Sequence, residues 1–194
     1  MNAIWKTKEE FKKEEAVSQQ VINLLTETDE TLSGSKHTEE ERQEYRKKAT
    51  KLIKQYSAEK LFEPDETLGK NVLHYAISTH NTIIAIDLIN KAGVTSEQLF
   101  HRDTHGYTPL HEAIQNGEDI VAINLIRKAT TSGQLQCETH VYYNHKTAKQ
   151  MAEDNRMPRV IVEIEERIKD LSGDENPNRF QSRYRTNQQS SLGI

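Results

Sequence analysis

The chain reads as all-α, an elongated stack of two-helix units, and three observations predict it. The sequence repeats itself, each repeat contains two short segments with helical apolar spacing, and turn-forming residues separate those segments. Shifting the chain by about 37 residues lays GKNVLHYAISTHNTIIAIDLINKA (69–92) onto GYTPLHEAIQNGEDIVAINLIRKA (106–129), with about half of the positions identical. Shorter echoes flank these blocks: SAEKLF (57–62), TSEQLF (95–100) and TSGQL (131–135). A weaker third copy, HKTAKQMAEDNRMPRVIVEIEERI (145–168), brings Thr147 and Ala152 into step with Thr108 and Ala113.

Local chemistry assigns each element. Thr108 is the expected N-cap of a helix from Pro109 to about Asn116, because proline at the first helical position loses no hydrogen bond. Gly117 supplies the left-handed residue that ends it. Asp119 is read as N-cap of a second helix in which Ile120, Val121, Ile123, Leu125 and Ile126 form the apolar set. Neither helix buries its face alone, so units must stack.

Upstream, residues 8–27 carry Val17, Val21, Leu24 and Leu25 on one face, and residues 38–56 carry Tyr45, Ala49, Leu52, Ile53 and Tyr56. Thr38 and Glu41 make a capping-box pattern, and TLSGSK (31–36) has the chemistry of a turn. These predict an N-terminal helical hairpin (1–57) capping a repeat domain (58–171, units about 64–94, 102–131 and 141–171). A polar tail (172–194) is expected to be disordered.

Composition bounds the function. No apolar run reaches the ~18 residues a membrane span needs, and the opening MNAIWKTKEEFKKEE is too charged for a secretory signal, so a cytoplasmic protein is expected. The single cysteine, Cys137, fits a reducing compartment, and a net charge of -4 argues against binding by phosphate neutralisation.

The set Thr108-Pro109-Leu110-His111, with Ala113, Gly117, Ile120, Val121, Leu125 and Ile126 after it and Asp103 and Gly106 before it, resembles the ankyrin repeat. The first copy supports it with Gly69, Leu73, His74 and Ala76. Departures are Val72 in place of the proline, Ile77 and Ile114 in place of a small residue, and Lys149 where the third unit should bury a leucine. The resemblance implies an ankyrin solenoid that binds a protein partner without catalysis or cofactor, here expected as a monomer. The implied contact surface comprises the finger loops and the exposed sides of the first helices. By position these are Asp65, Thr67, Leu68, Lys70 and Ser78 in the first unit, and Arg102, Thr104, His105, Tyr107 and Gln115 in the second. Tyr143, Asn144, Lys146 and Asp154 occupy the third. Tyr107, just after Gly106, is expected to project as the aromatic anchor.

His111-Glu112 starts like a zinc-protease signature, but Gln115 stands where the second histidine belongs. By the same resemblance, His111 and His74 are turn residues whose rings bond backbone or hydroxyl groups. The alternative function is a metalloprotein or enzyme built on His101, His105, Cys137, His140 and His145, a set with no standard finger spacing. A further variant makes the chain a bacterial effector acting on a host protein in the host cytosol, by analogy with ankyrin-bearing effectors and a polar tail ending near Leu192. In that tail, residues 179–185 interleave arginine with Phe180 and Tyr184, the pattern of a docking string on an acidic surface.

Overall fold

The computed structural model describes residues 16–28, 37–139 and 145–173. Turn residues 31–36, the segment ahead of residue 16, His140, Tyr143, Asn144 and the tail string 179–185 lie outside them. The described residues form α1 (Val17–Thr26), α2 (Glu39–Gln55), α3 (Ala58–Leu61), α4 (Val72–Ser78), α5 (Thr82–Ile89) and α6 (Ser96–Leu99). They continue with α7 (Pro109–Gln115), α8 (Asp119–Lys128), α9 (Ser132–Gln136), α10 (Ala148–Asp154) and α11 (Pro158–Leu171). The only strand-like pairing among them is one antiparallel bridge between Glu138 and Thr147.

Two layers result. The first helices α1, α4, α7 and α10 pack side by side in that order, and the second helices α2, α5, α8 and α11 do the same behind them. The N-terminal pair therefore continues both layers. Its apolar stripes explain why: Val21, Ile22 and Leu25 of α1 and Ala49 and Ile53 of α2 are buried in the same core as the repeats. Asn81, at the start of α5, fastens this junction by donating to the buried Thr28 hydroxyl (2.7 Å) while accepting from Arg46 Nε (3.1 Å).

Capping chemistry starts the elements where the sequence places them. Thr38 caps α2 in a reciprocal box with Glu41, Thr108 caps α7 with Pro109 at its first position, and Thr147 caps α10 with Gln150. The short echoes become the single-turn helices α3, α6 and α9, which bury Leu61, Leu99 and Leu135 between the layers' connections. The left-handed turn joining first to second helix is made by Gly117 (φ 70°), but by His80 (φ 54°) and Arg156 (φ 56°) in the neighbouring units.

Three expectations need correction. α8 begins at Asp119 itself, with Glu118 as its N-cap, because the tight turn after Gly117 completes one residue earlier than the side-chain preferences suggest. Ile120 does not join the buried set but is 59% exposed, since the second residue of α8 faces away from the layer in front. Lys149 reaches the surface, where its Nζ meets Glu165 (2.6 Å) and Glu153 (3.7 Å), so the third unit keeps its register through Ala148, Met151 and Ala152.

Candidate functional site

Between each second helix and the next first helix the chain makes a loop, and its rigidity comes from one acidic residue. Asp65 accepts hydrogen bonds from the backbone N–H of Thr67 (2.8 Å), Leu68 (2.6 Å) and Lys70 (2.9 Å) and from the Tyr75 hydroxyl (3.1 Å). Burial pushes its carboxyl up, but these donors outweigh it and hold the group below the usual carboxylate range. The same charge, behind desolvation, helps push the Tyr75 phenol up to about 12. In the next loop Asp103 accepts from His105 N–H (2.9 Å) and Tyr107 N–H (2.8 Å). Gly69 (φ 63°) and Gly106 (φ 78°) take the left-handed positions that let these turns close. The base of each loop is pinned by an equivalent backbone bond: Asp65 N–H to Lys70 carbonyl, Asp103 N–H to Tyr107 carbonyl, Thr139 N–H to Lys146 carbonyl.

Neighbouring loops also hold each other. Thr104 N–H donates to the Leu68 carbonyl (2.9 Å), His101 Nε2 to the Gly69 carbonyl (3.0 Å), and Arg102 to the Glu138 carbonyl. His74 is fully buried and its Nδ1 accepts the Asn71 N–H (3.3 Å), which leaves the proton on Nε2 to reach the Tyr107 carbonyl (3.3 Å) of the next unit. His111 repeats the inner half: Nδ1 accepts the Thr108 N–H (3.2 Å) and lies 2.9 Å from the Thr108 hydroxyl. Its Nε2 has no partner in hydrogen-bonding geometry. Desolvation lowers both rings, His74 to about 3 and His111 to about 4, so both are neutral at physiological pH. The rings are turn residues, as expected.

The residues expected at the contact surface divide into two groups. Thr67, Leu68, Arg102, Thr104, Gln115 and Asp154 are exposed, and Ser78 and His105 are half-buried. Asp65 is committed to its loop. Lys70 is tied to Glu112 across the unit boundary, Nζ to carboxylate 3.1 Å with both side chains largely buried, and Lys146 is tied to Asp154 (2.6 Å). Tyr107 does not project freely: it is half-buried, packs against the core, and sets its ring edge to face with His111 at 5.8 Å between centroids. Such an aromatic contact rewards burial over exposure. Sequence reasoning missed Glu112 and Tyr75, whose signals were only a carboxylate and a phenol on the outer side of a short helix. It also missed a cleft of about 640 Å³ between the start of α1 and the first loop, bordered by Gln19, Glu63, Glu66, Leu68 and Tyr75.

Among the described residues the proposed metal ligands are not gathered, and His140 lies outside them. His101 is occupied by the Gly69 carbonyl, and Cys137 Sγ donates to the Gln134 carbonyl (3.4 Å) while burial pushes its thiol up. His105 and His145 lie 3.8 Å from Asp103 and Glu138 respectively. Among the described residues, no three His, Cys, Asp or Glu side chains are placed to share a metal ion. None of the helices described is long and apolar enough to cross a membrane.

No curated protein matches the chain. A family model of ankyrin repeats in three copies matches residues 44–133, from within α2 to the start of α9. Ankyrin repeats generally mediate protein–protein interaction and are typically non-enzymatic. The matched segment, the stacked helix pairs, the Thr-Pro-Leu-His turn and the aspartate-braced loops agree with one another, and residues 44–133 of the chain are ankyrin repeats.

Proposed function

We propose that the chain recognises a partner protein through the finger loops and the exposed sides of the first helices α4, α7 and α10. The observation that carries this reading is the bracing of the loops. Asp65 and Asp103 fix five backbone N–H groups between them, so Thr67, Leu68 and Thr104 are presented from a backbone that loses little entropy on binding. Leu68, 37% exposed beside the acidic-rimmed cleft, is the apolar contact, with Arg102, His105 and Gln115 as polar contacts next to it. Tyr107 contributes its exposed edge and also stabilises the fold. Tyr143, Asn144, Lys146 and Asp154 extend the surface into the third loop.

Capture of a partner followed by calorimetric titration of variants tests the reading. Leu68→Ser combined with Gln115→Ala should weaken binding about tenfold or more at unchanged melting temperature, while Asn124→Ala on α8 stays within error of wild type. Tyr107→Ala should lose affinity and melting temperature together. Weakening by Asn124→Ala with none from the Leu68 pair would place the interface on the other layer and overturn the proposal.

A further inference from the structure

The cleft between the start of α1 and the first loop holds about 640 Å³, enough for a large side chain and its neighbours. Its rim is acidic. Glu63 and Glu66 are exposed, and neither has a hydrogen-bond or ion-pair partner among the described residues. Asp65 adds a third carboxylate, and no lysine or arginine stands among the described residues that border the cleft. Between these charges Pro64, Leu68 and the half-buried Tyr75 ring offer apolar surface. Carboxylates around an apolar wall fit a basic segment that carries an aromatic side chain.

The chain itself brings such a segment to the cleft. Ala16 borders it, and there the backbone is extended (φ -50°, ψ 136°) instead of continuing α1. The opening MNAIWKTK (1–8) holds Ile4, Trp5, Lys6 and Lys8 and no carboxylate, whereas Glu9, Glu10, Glu14 and Glu15 all fall in the stretch that joins it to Ala16. That stretch spans up to roughly 25 Å when extended, so the basic opening can return to a cleft whose edge is Ala16 itself. We propose that residues 1–8 form a strap that folds back over the cleft, with Trp5 on the apolar wall and Lys6 and Lys8 against Glu63 and Glu66. The like charge of the rim turns the joining glutamates to solvent. Seated there, the strap covers Leu68 and withdraws the first loop from a partner. That consequence rests on the loops being the contact surface, whereas the seating does not and is measured without a partner.

Trp5 is the single tryptophan of the chain, so fluorescence of the full chain reads the seating directly. In wild type Trp5 should be about threefold less accessible to acrylamide than in the chain unfolded by urea, with its emission shifted to the blue. Glu63→Lys with Glu66→Lys should raise the accessibility to the unfolded value, and Lys6→Glu with Lys8→Glu should do the same. Joining the two pairs should restore the shielding to within about twofold of wild type. Glu97→Lys, on α6, should leave it unchanged. Glu63, Glu66 and Glu97 are exposed, so circular dichroism should be the same in all variants. Trp5 as accessible in wild type as in urea overturns the strap and leaves the cleft to a basic segment of another protein. Shielding that survives both charge-reversed pairs, or that is not restored when they are joined, overturns the cleft as its seat. Shielding that rises with protein concentration means the strap of a second copy and overturns the fold-back.

Discussion

His74 and His111 sit at the same place in successive units, with the same inner hydrogen bond and different outer ones. His74 Nε2 reaches the Tyr107 carbonyl of the following loop, whereas His111 Nε2, equally buried, has no such acceptor. The loops explain the difference. From Asp103 to Tyr107 the second loop closes in few residues, while Thr139 to Lys146 in the third is three residues longer, and the backbone group that acts on the His111 ring is that of Cys137, ahead of the loop, in place of the closing residue. The same histidine position is therefore a clamp onto the next loop's closing carbonyl in one unit and chiefly a cap of its own turn in the next. The lesson is that this histidine belongs half to its own unit and half to its neighbour.

Replacing each histidine breaks the comparison most sharply. His74→Ala removes a cap and an inter-unit bond, so it should cost about 2 to 3 kcal/mol, against about 1 kcal/mol for His111→Ala. Urea denaturation measures both, and equal losses would mean that the outer bond contributes nothing.

Acid sharpens the contrast next. Both folded values lie below the ordinary histidine value of 6.5, so between them the unfolded chain binds more protons and stability falls as pH falls. The loss should begin near pH 6.5, continue to about pH 4 for His111 and to about pH 3 for His74, and approach ~1.4 kcal/mol per pH unit for each ring. His74→Gln and His111→Gln should each remove one proton from the slope, with His74→Gln flattening the lower end. An unchanged slope in both variants would contradict the buried, neutral assignment.

The turn between the helices supplies the smallest effect. Gly117, His80 and Arg156 all hold positive φ, so Gly117→Ala should cost about 1 kcal/mol. His80→Gly should gain less than the backbone strain it relieves, because His80 also touches Glu118 (3.1 Å), an exposed contact of small value. Thermal melts of the two variants against wild type resolve the sign in each case.

Much of this architecture was readable from local chemistry. Thr108-Pro109 announced the start of α7, Thr38 with Glu41 that of α2, and the identity between residues 69–92 and 106–129 announced the stacking unit. What escaped depended on neighbours. Ile120 shares helical spacing with Ile123, so periodicity alone groups them, yet only the position of the adjacent layer decides that one is 7% exposed and the other 59%. Tyr107 was expected to project because it follows a glycine turn, but the His111 ring beneath it offers a better home. Lys70, expected at the contact surface, pairs with Glu112, a residue 42 positions away. Such pairings shape what a surface presents, and a single sequence does not display them.

Asn116 Nδ2 donates to the Ile77 carbonyl (3.3 Å), and Asn155 Nδ2, at the equivalent position one unit later, donates to the Ile114 carbonyl (3.0 Å). Each helix pair thus brings the plug for the pair before it and the socket for the pair after it, encoded a few residues apart. A segment copied in tandem would arrive with both halves of the fastening already in register, and a segment excised would leave matching halves behind. The length of such a chain can change by whole units while every seam keeps the same bond, which makes the seam, more than the unit, the inherited object.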